Sequence, residues 1–290
     1  MILLLLFTLP FLLLVLKIYY KKNKTDYAGK KVLVIGGTSG LGLSISRLLK
    51  NQKAKVTVAS RYLNYFDKEF GTFRLNIPDI KSFPKNKTSF DYIFCCAGTS
   101  KPGFFKDMEP TDFSKQIELN YLGTVNSLHH YMNYNKKPFK FVMIASTMCF
   151  LSFPGYSAYT PSKHALYGFF NSVFDEMKSM NIDLFIYFVS SMQTRGFEEE
   201  NKWKPSFTTD IEGKNGMHPD KAASILLDGM EKGNVICSDI FTNLMKLKIV
   251  FTSLKDLLLL PVAFVFYPIV ILYIRFKFWR YNSRKKEKLY

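Results

Sequence analysis

Short apolar runs alternate with helical patterns along most of this chain, and that alternation limits the fold more than any other feature. The runs are rich in β-branched and aromatic residues, which favours buried strands. They predict strands at Val32–Ile35, Val56–Ala59, Thr72–Leu75, Tyr92–Cys96, Phe141–Ala145, Leu184–Val189 and Val235–Cys237. Helical periodicity lies between them, as in Asp112–His130, Ala158–Met177 and Lys221–Met230. Strands that alternate with helices form right-handed βαβ units, so we expect an α/β fold with a doubly wound parallel sheet.

A glycine-rich turn, Gly36-Gly37-Thr38-Ser39-Gly40-Leu41-Gly42, follows the first strand and opens the first helix. Glycines let the backbone turn tightly and approach a pyrophosphate, and a helix N-terminus favours negative charge. An ordinary glycine-rich turn between a strand and a helix is the alternative. The position of the turn at the start of an α/β domain favours a dinucleotide site.

Tyr159 and Lys163 are four residues apart on a predicted helix, so their side chains share one face. A nearby ammonium favours the phenolate and lowers the pKa of a tyrosine, which is ordinarily about 10. Such a phenol can exchange a proton with a carbonyl or alcohol oxygen. The same spacing also occurs by chance in helices, so this interpretation depends on a hydride carrier being bound nearby.

Both ends of the chain are strongly apolar. Met1–Leu16 is followed by lysines, and we predict a membrane anchor that leaves the body of the protein in the cytosol. A cleaved signal peptide is the alternative, but the positive n-region and the small-residue cleavage site are missing.

Phe241–Leu260 mixes apolar residues with lysines, as an interfacial amphipathic helix does. Leu257–Ile274 contains Pro261 and Pro268, and we expect it either to span as a kinked helix or to enter the membrane and return.

The 290-residue chain carries a formal net charge of +17 and four cysteines. Its basic residues are scattered except beside the apolar ends, which indicates membrane flanks and not a nucleic-acid groove. The cysteines lie in apolar runs without zinc spacing, and we interpret them as buried thiols in a reducing compartment. The histidines also lack metal-ligand spacing, so no metal is expected.

From about Lys30 to Cys237 the chain resembles the short-chain dehydrogenase/reductase family. Gly36, Gly40 and Gly42 have the spacing of the family's glycine turn, and Cys96-Ala97-Gly98 is similar to its Asn-Ala-Gly turn. The family's catalytic set follows in order as Asn120, Ser146, Tyr159 and Lys163. The resemblance implies a Rossmann-type fold and pairing of two chains through the helices that carry Asn120 and Tyr159.

The resemblance also implies a role for each member of this set. Tyr159 protonates the forming alkoxide, and Ser146 orients the carbonyl. Lys163 lowers the tyrosine pKa and holds the nicotinamide ribose. Asn120 positions a water that relays protons to Lys163.

The expected cofactor contacts are Gly36, Thr38, Ser39, Gly40, Leu41, Gly42, Arg61, Asn76, Ile77, Ala97, Gly98, Tyr159, Lys163 and Thr194. Arg61 follows the second strand with no acid before Asp67, which favours a 2′-phosphate and therefore NADPH. A solvated surface arginine is the alternative. Asn76 stands where the family usually has an aspartate near the adenine, and the loop Ser190–Arg195 departs from the family beside the nicotinamide and substrate.

Two segments, Tyr156–Lys163 and Gly196–Lys202, resemble the 3-ketodihydrosphingosine reductases, membrane-associated enzymes of sphingolipid synthesis. This resemblance implies NADPH-dependent reduction of the long-chain sphingoid ketone 3-ketodihydrosphingosine to dihydrosphingosine. It also implies location at the endoplasmic reticulum membrane, in contact with membrane lipid, with the catalytic domain in the cytosol. The alternatives are a membrane-anchored reductase of another lipid ketone (a steroid, retinoid or acyl lipid) and a non-catalytic nucleotide-binding relative.

We therefore expect four parts along the chain. These are an N-terminal membrane anchor at residues 1–24, a Rossmann-type NADP-binding catalytic domain at 25–240, a membrane-associated segment at 241–280 and a basic tail at 281–290. The last residues, Lys286–Tyr290, resemble a lysine-based retrieval signal, with a solvated basic tail as the alternative.

Overall fold

The computed structural model describes residues 25–63, 68–85, 88–250, 252 and 254–287. Within them, parallel strands form one seven-stranded sheet in the order β3-β2-β1-β4-β5-β6-β7. The strands are β1 (Lys31–Ile35), β2 (Lys55–Ser60), β3 (Gly71–Arg74), β4 (Tyr92–Cys95), β5 (Phe139–Ser146), β6 (Ile182–Val189) and β7 (Val235–Cys237). The predicted α/β fold with a doubly wound parallel sheet is confirmed. The predicted anchor at residues 1–24 lies outside the described residues.

Helices cover both faces of the sheet, which explains why its strands are apolar on both sides. Val32 and Val34 of β1 pack on one face, and Leu33 and Ile35 pack on the other. The first face is covered by α1 (Gly40–Asn51) and α7 (Pro219–Met230). The second face is covered by α3 (Gly123–Tyr134) and α4 (Tyr159–Ser179), and α2 (Pro110–Ile117) packs on α4.

The strand order reverses between β1 and β4. The connections that follow these two strands therefore diverge at the carboxyl edge of the sheet and leave a crevice there. The glycine-rich turn follows β1, Cys96-Ala97-Gly98 follows β4, and Ser146 ends β5. All three predicted groups thus lie at the same edge of the sheet.

A π-helix at Glu118–Leu122 joins α2 to α3, inside the segment predicted as one helix over Asp112–His130. A π-helix has a wider turn than an α-helix, and such turns are frequent at functional sites. Here the wider turn includes Asn120, which is only 1% exposed. The local helix geometry therefore helps to place this polar side chain in the interior.

The prediction of one amphipathic helix over Phe241–Leu260 is wrong. The chain instead forms α8 (Ile240–Lys246) and then begins a separate helix, α9 (Leu254–Glu287). Lys246, expected at a membrane surface, is buried, and its Nζ lies 2.9 Å from Oδ2 of buried Asp256. This ion pair connects the start of α9 to α8, because neither charge can be left unpaired in the interior without a large free-energy cost.

Helix α9 is 34 residues long and continues through Pro261 and Pro268, so the alternative of a segment that enters a membrane and returns is wrong. Its part from Asp256 to Arg284 is long and apolar enough to cross a membrane. One side packs on the α/β domain through buried Ala263 and Ile274. The other side exposes large apolar residues, including Leu258, Phe264, Val265, Ile269, Leu272, Phe276 and Trp279.

Two further helices follow β6, namely α5 (Arg195–Trp203) and α6 (Ser206–Glu212). The hydroxyl of Thr194 caps α5 by accepting a hydrogen bond from the Phe197 amide at 3.1 Å. The ring of Phe207 on α6 packs against Phe278 of α9, with ring centres 5.0 Å apart. The two helices thus lie between the carboxyl edge of the sheet and α9.

Candidate active site

A groove of about 290 Å³ lies at the carboxyl edge of the sheet, beside β1, β2 and β4. Most of the predicted cofactor contacts line it, namely Gly36, Thr38, Ser39, Gly40, Leu41, Gly42, Arg61, Asn76, Ile77, Ala97, Gly98 and Thr194. The fold thus brings together residues from five separate parts of the sequence. Among the lining residues that the sequence analysis did not predict as contacts are Leu75, Leu119 and Met192, because apolar side chains carry no recognisable signal.

The glycine-rich turn packs so closely on its neighbours that side chains would not fit. Gly36 has φ +79°, and a Cβ there would lie 2.6 Å from the backbone nitrogen of Ala97. A Cβ on Gly42 would overlap the carbonyl oxygen of Gly36. Helix α1 begins at this turn, so its unpaired N–H groups are available to an anion in the groove. This arrangement fits the pyrophosphate of a dinucleotide.

Arg61 lies just beyond β2, at the edge of this groove, and is exposed. Its guanidinium carbon is 5.8 Å from the centre of the Tyr62 ring. In the part of the chain that the structure describes, no aspartate or glutamate lines the groove. The charge at this end of the groove therefore favours an anionic group.

A second cavity, of about 870 Å³, adjoins the groove. Six residues line both spaces: Cys96, Gly98, Ile144, Met192, Thr194 and Gly196. Ser146, Tyr159 and Lys163 line the second cavity, so the structure brings these three predicted catalytic residues together next to the groove. We call this space the catalytic cavity.

The ends of secondary-structure elements position these three side chains. Ser146 is the last residue of β5, and its Oγ accepts a hydrogen bond from the Met148 amide at 3.2 Å. Tyr159 is the first residue of α4, and Lys163 follows one turn later. The Lys163 Nζ donates to the Ile144 carbonyl oxygen at 2.8 Å and lies 5.8 Å from the centre of the Tyr159 ring.

The structure differs from the sequence prediction on the acidity of Tyr159. Burial raises the pKa of the Tyr159 phenol, and its hydrogen bond with Ser146 acts in the opposite direction. Burial also lowers the pKa of the Lys163 ammonium. The predicted lowering of the phenol pKa is not seen, because the effect of burial is the largest and raises the pKa. Tyr159 is therefore held in its protonated form.

Asn120 uses its whole amide to connect neighbouring segments. Its Oδ1 accepts from the Thr99 amide at 2.8 Å, and its Nδ2 donates to the Thr99 carbonyl oxygen and to the Ser162 Oγ, each at 2.9 Å. These bonds hold the loop after β4 against α4. Both its oxygen and its nitrogen are engaged in these contacts, and the predicted water relay from Asn120 to Lys163 stays a prediction.

Sequence reasoning missed a polar cluster on the other side of the catalytic cavity. The phenol of Tyr156 contacts the carboxylates of Glu200 and Glu212. Buried Lys204 pairs with both glutamates, and Nζ lies 3.1 Å from Oε1 of Glu200. Ser191 donates to Oε1 of Glu212 at 2.5 Å. The glutamates are on different helices, so their spacing in the sequence does not indicate that they meet.

A third space, of about 810 Å³, lies between the α/β domain and α9. Its walls are mostly apolar and include Phe104, Phe105, Phe153, Pro154, Phe278 and Tyr281. Phe153 and Tyr156 line both this space and the catalytic cavity. The catalytic cavity also reaches α9, at Val270, Tyr273 and Ile274. Apolar surface therefore extends from the catalytic residues to α9.

Comparison with known proteins gives consistent results. The family model for short chain dehydrogenase matches residues 80–205. The 3-dehydrosphinganine reductase of Danio rerio is 30% identical over 235 residues, covering 72% of this chain and 71% of that protein. The 3-ketodihydrosphingosine reductase of Dictyostelium discoideum is 27% identical over 307 residues, covering 91% and 92% respectively.

Solved structures with little sequence similarity have the same fold. A short chain dehydrogenase from Burkholderia cenocepacia in complex with NADP has a TM-score of 0.63 at 15% identity, covering 75% of this chain and 91% of that one. A short chain dehydrogenase/reductase from Burkholderia phymatum in complex with NAD has a TM-score of 0.64 at 14% identity, covering 79% and 98%.

Proposed function

The chain belongs to the short-chain dehydrogenase/reductase family and is an oxidoreductase acting on a ketone or alcohol group, and from this premise we propose that it reduces 3-ketodihydrosphingosine to dihydrosphingosine with NADPH. One observation supports the proposal most strongly. The cavity that contains Ser146 and Tyr159 continues along apolar walls to α9. A long-chain ketone can place its carbonyl at the catalytic residues and its hydrocarbon chain along these walls.

The chemistry follows from the positions of the side chains. NADPH, when bound, supplies a hydride to the ketone carbon. Ser146 donates a hydrogen bond that orients the carbonyl oxygen, and Tyr159 gives its proton to the same oxygen as the alcohol forms. Lys163 would hold a ribose hydroxyl of the cofactor, and Asn120 keeps the loop after β4 in place through Thr99. The raised pKa of the Tyr159 phenol means that the proton needed for this step is present at neutral pH.

The choice of NADPH over NADH rests on Arg61 and on the charges of the groove. A guanidinium can bind the 2′-phosphate of NADPH through two hydrogen bonds, whereas NADH is usually held there by an acidic residue. The described lining of the groove contains Arg61 and no acidic residue. The glycine-rich turn would hold the pyrophosphate, and Asn76 and Ile77 would contact the adenine end.

Membrane attachment of the enzyme is supported by α9. Its outer side combines exposed apolar residues with cations near the C-terminal end, including Arg275, Arg280 and Arg284. Its inner side lines the catalytic cavity, so α9 stays with the domain, and its outer side would lie along the lipid surface. A ketone dissolved in the membrane could then reach the cavity beside α9.

We propose the cellular location of the enzyme and the pairing of two chains from the sequence. The lysines after Met1–Leu16 support a cytosolic catalytic domain, and the resemblance supports the endoplasmic reticulum membrane. Two chains would pair through the helices that carry Asn120 and Tyr159. The basic tail at residues 281–290 lies partly outside the described residues.

Cofactor oxidation by the purified full-length protein tests the proposed function. We expect oxidation of NADPH with 3-ketodihydrosphingosine in detergent micelles, at a higher kcat/KM than with NADH. Steroid and retinoid ketones of similar apolar content serve as comparison substrates. Turnover of these ketones without turnover of 3-ketodihydrosphingosine would exclude the proposed substrate and leave a reductase of another lipid.

A further inference from the structure

The polar cluster beside the catalytic cavity has a charge that its internal contacts do not neutralise. Glu200 and Glu212 each carry a carboxylate, and Lys204 supplies one ammonium to both. The other contacts come from the neutral hydroxyls of Tyr156 and Ser191. Two carboxylates and one ammonium leave one net negative charge. Both glutamate side chains are only 11% exposed, so water neutralises little of it.

The cluster also has a free acceptor at the cavity. Both polar contacts with Glu200 go to its Oε1, from Tyr156 and from Lys204. Among the described residues, none donates a hydrogen bond to Oε2 of Glu200. The phenol of Tyr156 has a single proton, so it can serve only one of the two carboxylates at a time. Oε2 of Glu200 keeps some accessible surface, so a ligand in the cavity can donate to it in place of water.

The cluster lies next to the reacting centre. Glu200, Glu212 and Tyr156 line the same cavity as Ser146 and Tyr159. The rings of Tyr156 and Tyr159 have centres 5.9 Å apart. Lys163, the other charged residue in the described lining of this cavity, donates to the Ile144 carbonyl oxygen and lies beside the cofactor groove. The negative end of the cavity is therefore the end that Tyr156 and the two glutamates form.

We propose that Glu200 and Glu212 bind a protonated amine on the substrate, next to the ketone that is reduced. The proposal rests on the proposed function and deepens it, because 3-ketodihydrosphingosine carries an amino group on the carbon adjacent to its ketone. An ammonium placed there would donate to Oε2 of Glu200 and to the Glu212 carboxylate and would complete the charge balance. The two glutamates would then select amino ketones over neutral lipid ketones of the same length.

A pair of ketones that differ only in the amine tests this proposal without any mutation. The two substrates are 3-ketodihydrosphingosine and its analogue without the 2-amino group. A hydrogen bond to a charged group contributes about 1.5–3 kcal/mol, so we expect the wild-type protein to prefer the amino ketone by roughly tenfold to a hundredfold in kcat/KM. Equal kcat/KM values for the two ketones would overturn the proposal.

Variants then separate amine binding from a structural role. Glu200→Gln and Glu212→Gln should raise KM for the amino ketone and leave kcat/KM for the analogue within about threefold of the wild-type value, since a glutamine keeps the side-chain size but lacks the charge. The control is Glu199→Gln, because Glu199 lies on the same helix with a side chain 55% exposed. An equal loss with both ketones would show that the cluster only supports the fold, and thermal unfolding of each variant accompanies the kinetics.

Failure of the proposed function gives a different result from failure of the amine site. If neither ketone is reduced, the proposed function is wrong. The amine site is then tested by the binding of an amine and of the matching alcohol. In that case octadecylamine must bind at least about tenfold more tightly than octadecanol, and Glu200→Gln must remove the difference. Equal binding of the amine and the alcohol would overturn the inference as well.

Discussion

At the scale of single residues, burial keeps the phenol of Tyr159 in the protonated form that reduction of a ketone uses. Burial raises the pKa of the phenol, and its hydrogen bond with Ser146 opposes this only in part. Glu200 and Glu212 act in the same direction as burial. The described residues therefore form a site that keeps its acid protonated, as reduction of a ketone requires.

This acidity predicts the pH profile of reduction. A group with a raised pKa keeps its proton as the pH rises through neutrality and loses it only above the ordinary tyrosine value of about 10. We expect kcat for reduction, measured at saturating NADPH and ketone, to stay nearly constant from about pH 6 to about pH 9. A decline centred near pH 7 would indicate a phenol of lowered pKa and would contradict the structure. Circular dichroism at each pH would show that the protein remains folded.

Sequence reasoning predicted which residues line the groove better than it predicted the contacts of Asn120 and Tyr156. The contacts of Gly36–Gly42 depend on a local turn, so their pattern is visible in the sequence. The contacts of Asn120 with Thr99 and Ser162 depend on a π-helix that no periodicity indicates. The cluster of Tyr156, Glu200 and Glu212 joins three separate segments, and only the folded chain brings them together.

At the scale of elements, α9 combines two surfaces with different partners. Its inner surface packs on the domain, where Phe278 lies with its ring centre 6.4 Å from that of Phe104 and 5.0 Å from that of Phe207. Its outer surface is apolar and exposed. Hydropathy in the sequence indicated membrane contact, but not that the same helix lines the catalytic cavity, because inner and outer residues are equally apolar. Phe241–Leu260 was mispredicted for a related reason, since Lys246 is paired inside the protein.

Trp279 offers a direct test of the outer surface. It is 64% exposed on α9, and the chain contains only one other tryptophan, Trp203. In the full-length Trp203→Phe variant, we expect brominated acyl chains in phosphatidylcholine and phosphatidylserine vesicles to quench the remaining fluorescence, since the outer surface would lie in the lipid. Vesicles without bromine are the control. Unquenched fluorescence from protein that floats with the vesicles would show that α9 does not contact the membrane.

At the scale of the whole molecule, the groove adjoins the catalytic cavity, and the catalytic cavity extends to α9. The groove and the catalytic cavity share six lining residues, and the catalytic cavity reaches α9 at Val270 and Ile274. The parallel sheet places Ser146 and the glycine-rich turn at the same edge. A cofactor, a carbonyl and a lipid chain can therefore occupy adjacent positions in one chain.

The central claim is that this site transfers a hydride from NADPH to a long-chain ketone with Tyr159 as the proton donor. The most direct test uses NADPH deuterated on the transferred hydride, with mass spectrometry of the dihydrosphingosine formed from 3-ketodihydrosphingosine. We predict one deuterium per product molecule from the wild-type protein and loss of the product with Tyr159→Phe, while NADPH binding, measured by fluorescence, is retained. Unlabelled product, or a Tyr159→Phe variant that turns over at the wild-type rate, would contradict the claim.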